Sequence, residues 1–212
     1  MGYLNLVEDE KENIYDKKDV NAINGDEIIR ESETLLKKKG IWMLKSKLRD
    51  AIGRLEEART YYRKCKNIAY KYQMARSYIL TGEIYERLDD KFNAGIAYES
   101  GVIIYKECIN DKIPDLLGEI CEEKKRIYVK KIIKYICKII ENLIYDKKYE
   151  ERMIVIMRKG YDFILYKGGY EEVENYVKEL GKIIENDKNK ELFEELTRIR
   201  IIIKKLKMEL MI

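Results

Sequence analysis

Residue types able to carry out catalysis are scarce in this chain of 212 residues. It contains no histidine, the usual general base at neutral pH. Adjacent glutamates such as Glu56-Glu57, Glu122-Glu123 and Glu171-Glu172 can in principle act as an acid–base pair, but they fall in predicted surface helices, where solvated charge is the ordinary interpretation. No Gly-x-x-x-x-Gly-Lys-Ser loop offers backbone amides to a phosphate. We therefore expect no enzymatic activity, no nucleotide hydrolysis and no cofactor.

The cysteines do not form a metal-binding pattern. Cys65, Cys108, Cys121 and Cys137 lie far apart on predicted helices and include no Cys-x-x-Cys pair. A structural zinc site needs four ligands at short paired spacing, usually with histidine among them. We predict reduced, partly buried thiols in a reducing compartment and no metal site.

Overall charge and hydropathy exclude two further classes. The 43 basic residues nearly balance the 39 acidic ones, for a net charge of +4, which argues against wholesale binding of nucleic acid. Apolar runs such as the one from Ile199 to Ile203 are broken by charged residues long before the ~20 residues that a bilayer span requires. We expect a cytoplasmic protein without a transmembrane helix.

The elements that carry these residues are predicted to be helices throughout. The chain has a single proline, Pro114, and few glycines inside its periodic stretches. A first helix is predicted to open at Gly25-Asp26 and to end at three lysines followed by Gly40. We interpret residues 1–24, which are polar and acidic, as a loosely ordered arm, and residues 25–212 as one α-helical domain.

The next three predicted helices repeat one pattern of small and aromatic residues at offsets 0, 4, 7 and 11. Small residues let a neighbouring helix come close while the larger ones fill the groove beside it, as in tetratricopeptide-like helical hairpins. The three sets are Ala51, Leu55, Ala58 and Tyr62; Met74, Tyr78, Thr81 and Tyr85; and Ala94, Tyr98, Gly101 and Tyr105. The pattern predicts an all-α, right-handed stack of antiparallel helix pairs.

Further helices are predicted at about 114–126, 128–146, 148–166, 170–186 and 189–210, with a turn at Lys167-Gly168-Gly169. In the last of these, apolar residues alternate steps of four and three, which is typical of a seam that closes the end of a bundle. The seam consists of Leu192, Leu196, Ile199, Ile203, Leu206 and Leu210. We therefore expect the stack to end in a C-terminal helical bundle.

The stretch from Leu35 to Lys106 resembles the soluble NSF attachment proteins, adaptors of SNARE-complex disassembly. A helix ends in lysines, a short apolar loop follows, and the segment from Asp50 to Lys66 carries the pattern Ala-x-x-x-Leu-x-x-Ala-x-x-x-Tyr. Asp90 to Tyr98 is similar to the family's Ser-Lys-x-Asp-Ala-Ala-x-x-Phe segment, and Leu196 to Lys205 is similar to its Leu-Thr-x-Met-Leu-Leu-x-Ile-Lys-Lys tail. The acidic run expected near the family's C-terminus is reduced to Glu209. The chain is interpreted as a short, divergent member.

An apolar loop after the first helix is the first candidate site. It consists of Ile41, Trp42, Met43 and Leu44, with lysines on both sides. Apolar side chains can insert at a lipid interface, where tryptophan is favoured, while lysines meet anionic head groups. In the alternative, Trp42 and Leu44 pack into the groove between the first two helices. The resemblance favours membrane contact, because the family's apolar loop touches membrane here.

Basic residues on the repeat helices are the second candidate site. The resemblance implies a SNARE bundle as partner, and such an acidic coiled coil would be attracted to a concave basic surface. The candidate residues are Lys66, Lys71, Arg76, Lys91 and Lys106. For any one of them, a solvated helix face is the alternative interpretation.

The C-terminal end is the third candidate site. In the family the final residues engage an NSF-like AAA ATPase, which carries over to Glu209 and Leu210. The alternative is a helix end packed against its neighbour. The resemblance thus implies an adaptor, peripheral on membranes, that binds SNARE complexes and recruits the ATPase. The competing hypothesis is a tetratricopeptide-like scaffold for other protein partners.

Overall fold

The computed structural model describes residues 19–37, 44–65, 70–110, 122–187 and 189–210, with the side chains of 44, 122–125 and 210 left out. Within these ranges the chain forms eight α-helices and one short 3-10 helix, Lys147–Tyr149, and contains no strand. The α-helices are α1 (Val20–Lys37), α2 (Leu44–Lys64), α3 (Tyr70–Arg87), α4 (Lys91–Asn110), α5 (Glu122–Leu143), α6 (Glu150–Gly168), α7 (Tyr170–Asp187) and α8 (Lys190–Leu210). The predicted all-α class is confirmed.

Short polar side chains and one glycine define several helix ends. The Asp90 carboxylate accepts a hydrogen bond from the Asn93 amide at 3.1 Å, and the Asn189 side-chain oxygen accepts one from the Leu192 amide at 3.1 Å. These contacts satisfy amides that lack a partner in the first turns of α4 and α8. Gly169, at φ 82°, ends α6 and turns the chain into α7, at the turn predicted from Lys167-Gly168-Gly169.

Consecutive helices pack against each other in antiparallel pairs. Gly82 lies against Tyr98 and Gly101 lies against Ile79, so α3 and α4 run in opposite directions. The same opposed pairing joins α1 to α2, α2 to α3, and every later neighbour up to α7 and α8. The predicted stack of antiparallel helix pairs is therefore confirmed.

Alternate helices run parallel and form two rows. Ion pairs link α1 to α3 through Glu33 and Arg76, and α5 to α7 through Lys130 and Glu172. On the other side, Arg152 of α6 pairs with α4, and Arg158 of α6 pairs with α8. The row of α1, α3, α5 and α7 thus presents a surface separate from that of α4, α6 and α8.

Among the described residues, the apolar core consists mainly of two clusters that meet at α3, and Cys108 forms a small third one. The N-terminal cluster joins α1, α2 and one side of α3, while the C-terminal cluster joins the other side of α3 to α4–α8. The predicted seam of α8 belongs to the second cluster, because Leu192, Leu196, Ile199 and Ile203 are all buried. This arrangement agrees with the predicted C-terminal bundle.

Three expectations about segments need correction. Helix α1 begins at Val20, so residues 20–24 are not part of a loose arm; residues 1–18 lie outside the described residues. Separate helices were predicted at 114–126 and 128–146, but α5 runs unbroken from 122 to 143. In α3, Thr81 is the buried member of the predicted stripe, while Met74, Tyr78 and Tyr85 are half-buried, because α3 packs on α2 and α4 with two other sides.

None of the helices within the described ranges combines the length and apolar composition needed to cross a bilayer.

Candidate protein-binding surface

The predicted apolar loop lies mostly outside the described residues. Ile41, Trp42 and Met43 are not described, and Leu44 is the first residue of α2. The Arg87 side chain donates a hydrogen bond to the carbonyl oxygen of Leu36, which holds the end of α1 against the end of α3. The C-terminal end of α1 therefore lies at the same end of the stack as the α3–α4 turn.

The four predicted basic residues that the structure describes do not form one patch. Lys66 lies outside the described residues, and Lys71 is 3.7 Å from the Glu107 carboxylate of α4. Arg76 lies on the row of α1 and α3, where it pairs with Glu33. Burial opposes the charge of Arg76, but the Glu33 carboxylate outweighs it and raises the pKa of the guanidinium.

Lys91 and Lys106 are fifteen residues apart on α4, which separates them by about 22 Å along the helix axis. The Lys91 ammonium lies 3.9 Å from the ring centre of Tyr145, beyond the end of α5. The Lys106 ammonium lies 3.4 Å from the carbonyl oxygen of Lys159 and 5.2 Å from the ring centre of Phe163, both in α6. Burial, with the nearby Lys159 charge, lowers the pKa of Lys106.

The predicted tail residues lie at the end of α8. Glu209 is exposed, and Leu210 is the last described residue, its side chain left out. Leu206, one turn earlier on the seam, is half-buried.

A row of half-exposed polar and aromatic residues runs along one side of α3. Tyr72, Arg76, Glu83 and Arg87 are spaced by four, seven and four residues, so they share that side. Burial raises the pKa of Glu83, and the neighbouring carboxylates of Glu86 and Glu33 add to this while Lys134 opposes it.

A matching row on α5 faces this side of α3. The Lys131 ammonium donates a hydrogen bond to the Tyr72 hydroxyl at 2.7 Å, and the ring of Tyr128 meets that of Tyr72 edge-on, 5.5 Å between centres. Further along, Asn142 donates to the Glu86 carboxylate at 2.7 Å, and Lys138 lies 3.3 Å from it. Polar side chains therefore bridge α3 and α5 along most of their length.

Tyrosines of α4 lie beneath this bridge. The ring of Tyr105 is 5.5 Å from that of Tyr72 and 6.4 Å from that of Tyr135, and the ring of Tyr98 is 5.8 Å from that of Tyr135. Together the five rings form a continuous ladder across three helices. We call this face the tyrosine surface; it consists of Tyr72, Arg76, Glu83, Tyr128, Lys131 and Tyr135, with Tyr98 and Tyr105 as its floor.

Burial also affects the ionisation of three of these tyrosines, Tyr98, Tyr105 and Tyr135. It raises the pKa of the Tyr105 hydroxyl far above its ordinary value, and the nearby Tyr72 and Tyr135 add to this. Burial likewise raises the pKa of Tyr98 and Tyr135. The hydroxyls of Tyr98, Tyr105 and Tyr135 therefore stay neutral at physiological pH.

The described thiols and glutamates carry no reactive arrangement. Cys65, Cys108 and Cys137 are free thiols, and burial raises the pKa of Cys65 and Cys137 to about 12; Cys121 lies outside the described residues. Such thiols are poor nucleophiles because the thiolate is the reactive form. Among the described residues no group of three or more His, Cys, Asp or Glu side chains is placed to hold a metal ion.

One expectation about the paired glutamates is wrong. Glu56, Glu57 and Glu171 are exposed as predicted, but Glu172 is buried, with its carboxylate 3.8 Å from the Lys130 ammonium. Glu172 lies in the first turn of α7, where its stem covers Gly168 and the helix dipole favours a negative charge. The side chains of Glu122 and Glu123 are outside the described set.

The tyrosine surface was not predicted from the sequence. Tyr98 and Tyr105 were interpreted as packing residues, and no role was assigned to Tyr72, Tyr128 or Tyr135. A signal was present: α5 carries Tyr128, Lys131, Tyr135, Lys138 and Asn142 at steps of three and four residues, a polar stripe opposite its isoleucines. Only the packing of α5 beside α3 shows that this stripe faces Tyr72 and not open solvent.

Comparison with known proteins assigns the chain to no family. No family model matches it, and no curated protein matches it. A solved structure described as "DHF58 filament" is similar at 15% identity and a TM-score of 0.48, covering 90% of this chain and 95% of that one. That likeness carries no conclusion about function.

Proposed function

We propose that this protein is a non-enzymatic helical adaptor that binds other proteins through the tyrosine surface. The observation that carries the proposal is the ladder of five tyrosines, held across three helices and bordered by charged side chains. Tyrosine and arginine are enriched at the energetic centres of protein interfaces, because they combine apolar area with hydrogen bonding. Rings that are already held in place lose little conformational entropy when a partner binds.

The resemblance to the soluble NSF attachment proteins suggests the partners. An acidic SNARE bundle would lie along the tyrosine surface, competing with Glu33 for Arg76, and an NSF-like ATPase would engage Glu209 and Leu210 at the end of α8. The loop at Ile41 to Leu44 would touch the membrane, which makes the protein a peripheral one on the cytoplasmic side. The role of the adaptor is then to link the NSF-like ATPase to the SNARE bundle.

Co-sedimentation with an assembled SNARE complex, with and without the ATPase, tests this proposal. Replacing Tyr128 and Tyr135 together with alanine should weaken SNARE binding at least tenfold, since truncation of central interface tyrosines has large effects. The matched control is Tyr145→Ala with Tyr166→Ala, because these tyrosines are 67% and 80% exposed and lie away from the ladder. Circular dichroism checks that both variants remain helical. Equal binding by both variants would remove the tyrosine surface from the proposal.

The second candidate function is a scaffold for other protein partners, and the scatter of the basic residues favours it. Lys106 faces α6 and Lys91 lies at the end of the stack, so neither borders the tyrosine surface. A scaffold of this kind would use the tyrosines but would form no ternary complex with a SNARE bundle and its ATPase. Absence of that complex, with the tyrosine surface still able to bind another protein, favours the scaffold.

A further inference from the structure

Helix α8 ends the described stack and presents two apolar sides. One side packs into the core through Leu192, Leu196, Ile199 and Ile203. On the opposite side Ile201 and Met208 are 51% and 54% exposed. These two exposed apolar residues are spaced seven apart and therefore share one side of the helix.

The charge of this region is strongly one-sided. Between Leu196 and Met208 the sequence contains five basic residues and no acidic one. Three of the five pair with carboxylates outside that stretch: Arg198 with Glu195 at 3.4 Å, Arg200 with Glu185 at 2.8 Å and Lys207 with Glu174 at 3.3 Å.

Lys204 and Lys205 are exposed and make no ion pair with the described residues. Each lies three or four residues from both Ile201 and Met208, so the two cations sit between the two apolar side chains on the helix surface. We call these four residues the outer α8 surface.

A shallow groove adjoins the outer α8 surface where α8 meets α7. Its volume is about 420 Å³, and its floor includes the buried Val177 and Ile203. Four cationic side chains line it, with Glu174 as its acidic member: Lys178, Arg200, Lys204 and Lys207. The positive charge of the outer α8 surface therefore continues onto α7.

The residue types of the outer α8 surface indicate which kind of partner it would bind. A second copy of this surface is disfavoured, because like charges would face each other. Centres of protein interfaces are depleted in lysine and enriched in aromatic residues and arginine. Lysines alternating with exposed aliphatic residues are instead typical of helices that lie in a membrane interface, where apolar side chains reach the acyl boundary and lysines meet anionic head groups.

We propose that the outer α8 surface docks on an anionic lipid membrane, with Ile201 and Met208 at the level of the head groups and Lys204 and Lys205 against lipid phosphates. This contact is separate from the loop at Ile41 to Leu44 and does not depend on the protein partners proposed above. It places the C-terminal end of the stack, as well as the loop, at a bilayer.

Sedimentation of the full chain with vesicles tests the proposal. Wild-type protein should bind phosphatidylcholine vesicles that contain 30% phosphatidylserine and should bind pure phosphatidylcholine vesicles much less. Lys204→Glu with Lys205→Glu should weaken binding to the anionic vesicles at least tenfold, and Ile201→Ser with Met208→Ser should weaken it severalfold. The matched control is Lys64→Glu with Lys190→Glu, which makes the same change in net charge at exposed positions elsewhere.

A variant without the apolar loop separates binding through the outer α8 surface from binding through the loop. In a Trp42→Ser, Met43→Ser variant, the remaining binding should still fall when Lys204 and Lys205 are reversed. Three outcomes would overturn the proposal: no binding of wild-type protein to anionic vesicles, an equal loss in the control, or no loss on reversing Lys204 and Lys205. If soluble polyglutamate binds in a manner that depends on Lys204 and Lys205 while vesicles do not, the occupant is an acidic protein and the membrane assignment fails.

Discussion

The two core clusters fill the space between their helices with different residue types. In the N-terminal cluster, small residues let helices approach and tyrosine fills the space: Gly25 lies directly beneath the ring of Tyr62. In the C-terminal cluster, α5 supplies a run of fully buried isoleucines, including Ile132, Ile136 and Ile140. Close glycine contacts also occur in the C-terminal cluster, as between Gly82 and Tyr98, so what distinguishes this cluster is its large buried isoleucine area.

The clusters also treat buried charge differently. Arg59 in α2 is 6% exposed, yet among the described residues its contacts are one hydrogen bond to Thr81 at 3.1 Å and the ring of Tyr78, 4.3 Å away. Glu195 in α8 is 4% exposed and accepts two hydrogen bonds from Arg158 at 2.7 and 2.6 Å. The C-terminal charge is thus paired by an opposite charge, while the N-terminal charge relies on neutral partners, and burial lowers the pKa of Arg59.

The largest expected effect tests the dependence of the C-terminal cluster on buried area. Ile136→Ala should lower the free energy of unfolding by about 3 kcal/mol, since a fully buried isoleucine leaves a cavity when truncated. The control Ile103→Ala removes a side chain that is half exposed and should cost less than about 0.5 kcal/mol. Urea denaturation followed by circular dichroism measures both. If Ile136→Ala lost less unfolding free energy than Ile103→Ala, the surrounding side chains would have to repack into the space that Ile136 leaves.

The next effect tests close approach between helices. A methyl group at Gly82 would lie 2.8 Å from ring atoms of the buried Tyr98, so Gly82→Ala should destabilise the protein by about 2 kcal/mol. Gly53→Ala is the matched control in α2, where nothing lies within 4 Å of the added methyl group. It should stabilise by about 0.5 kcal/mol, because alanine is the better helix former. Thermal unfolding measures both effects. If the unfolding temperatures of the two variants shifted in the same direction, the comparison would be contradicted.

A third effect concerns the paired charge of the C-terminal cluster. The Arg158 hydrogen bonds lower the pKa of Glu195, against the opposing effect of burial. Their stabilisation is therefore fully present above the ordinary glutamate pKa of about 4.3 and is lost as the pH falls through the lowered folded-state value. Arg158→Ala should cost about 1.5 kcal/mol at pH 7, and the difference from wild type should disappear in acid.

Unfolding measured from pH 7 down to pH 3 checks this expectation. Arg198→Ala is the control, because its single contact with Glu195 is longer, at 3.4 Å, and its loss should be smaller. A difference between Arg158→Ala and wild type that stays constant with pH would mean that Arg158 acts by packing and not by charge.

The smallest effect concerns the buried charge of the N-terminal cluster. Arg59→Met removes the charge and keeps a side chain of similar length, so the stability should change by less than about 1 kcal/mol or rise slightly. Replacing an unpaired buried cation by an apolar group is favourable where no carboxylate loses its partner. A loss well above 1 kcal/mol in urea denaturation would show that the contacts with Thr81 and Tyr78 make a net contribution.

The difference between the clusters also explains which parts of the fold were predictable. The spacing of Ala51, Leu55, Ala58 and Tyr62 places one buried stripe on α2, because a repeated small–aromatic pattern has few other uses in a helix. The isoleucine-rich α5 was divided in two and extended beyond Leu143, because no glycine or proline lies between residues 119 and 159 to mark a helix boundary. The α3 stripe was only partly buried, since a helix packed on two sides has no single apolar face.

Sequence alone determined the all-α class, the turn at Gly169 and the buried seam of α8, because local periodicity, glycine and capping residues act within a few positions of each other. Tertiary structure decided which polar side chains meet. The tyrosine ladder joins residues up to sixty-three positions apart, and Lys131 reaches Tyr72 only because α5 lies beside α3. Likewise, only the tertiary structure shows that no described helix covers the second side of α8, which leaves Ile201 and Met208 exposed.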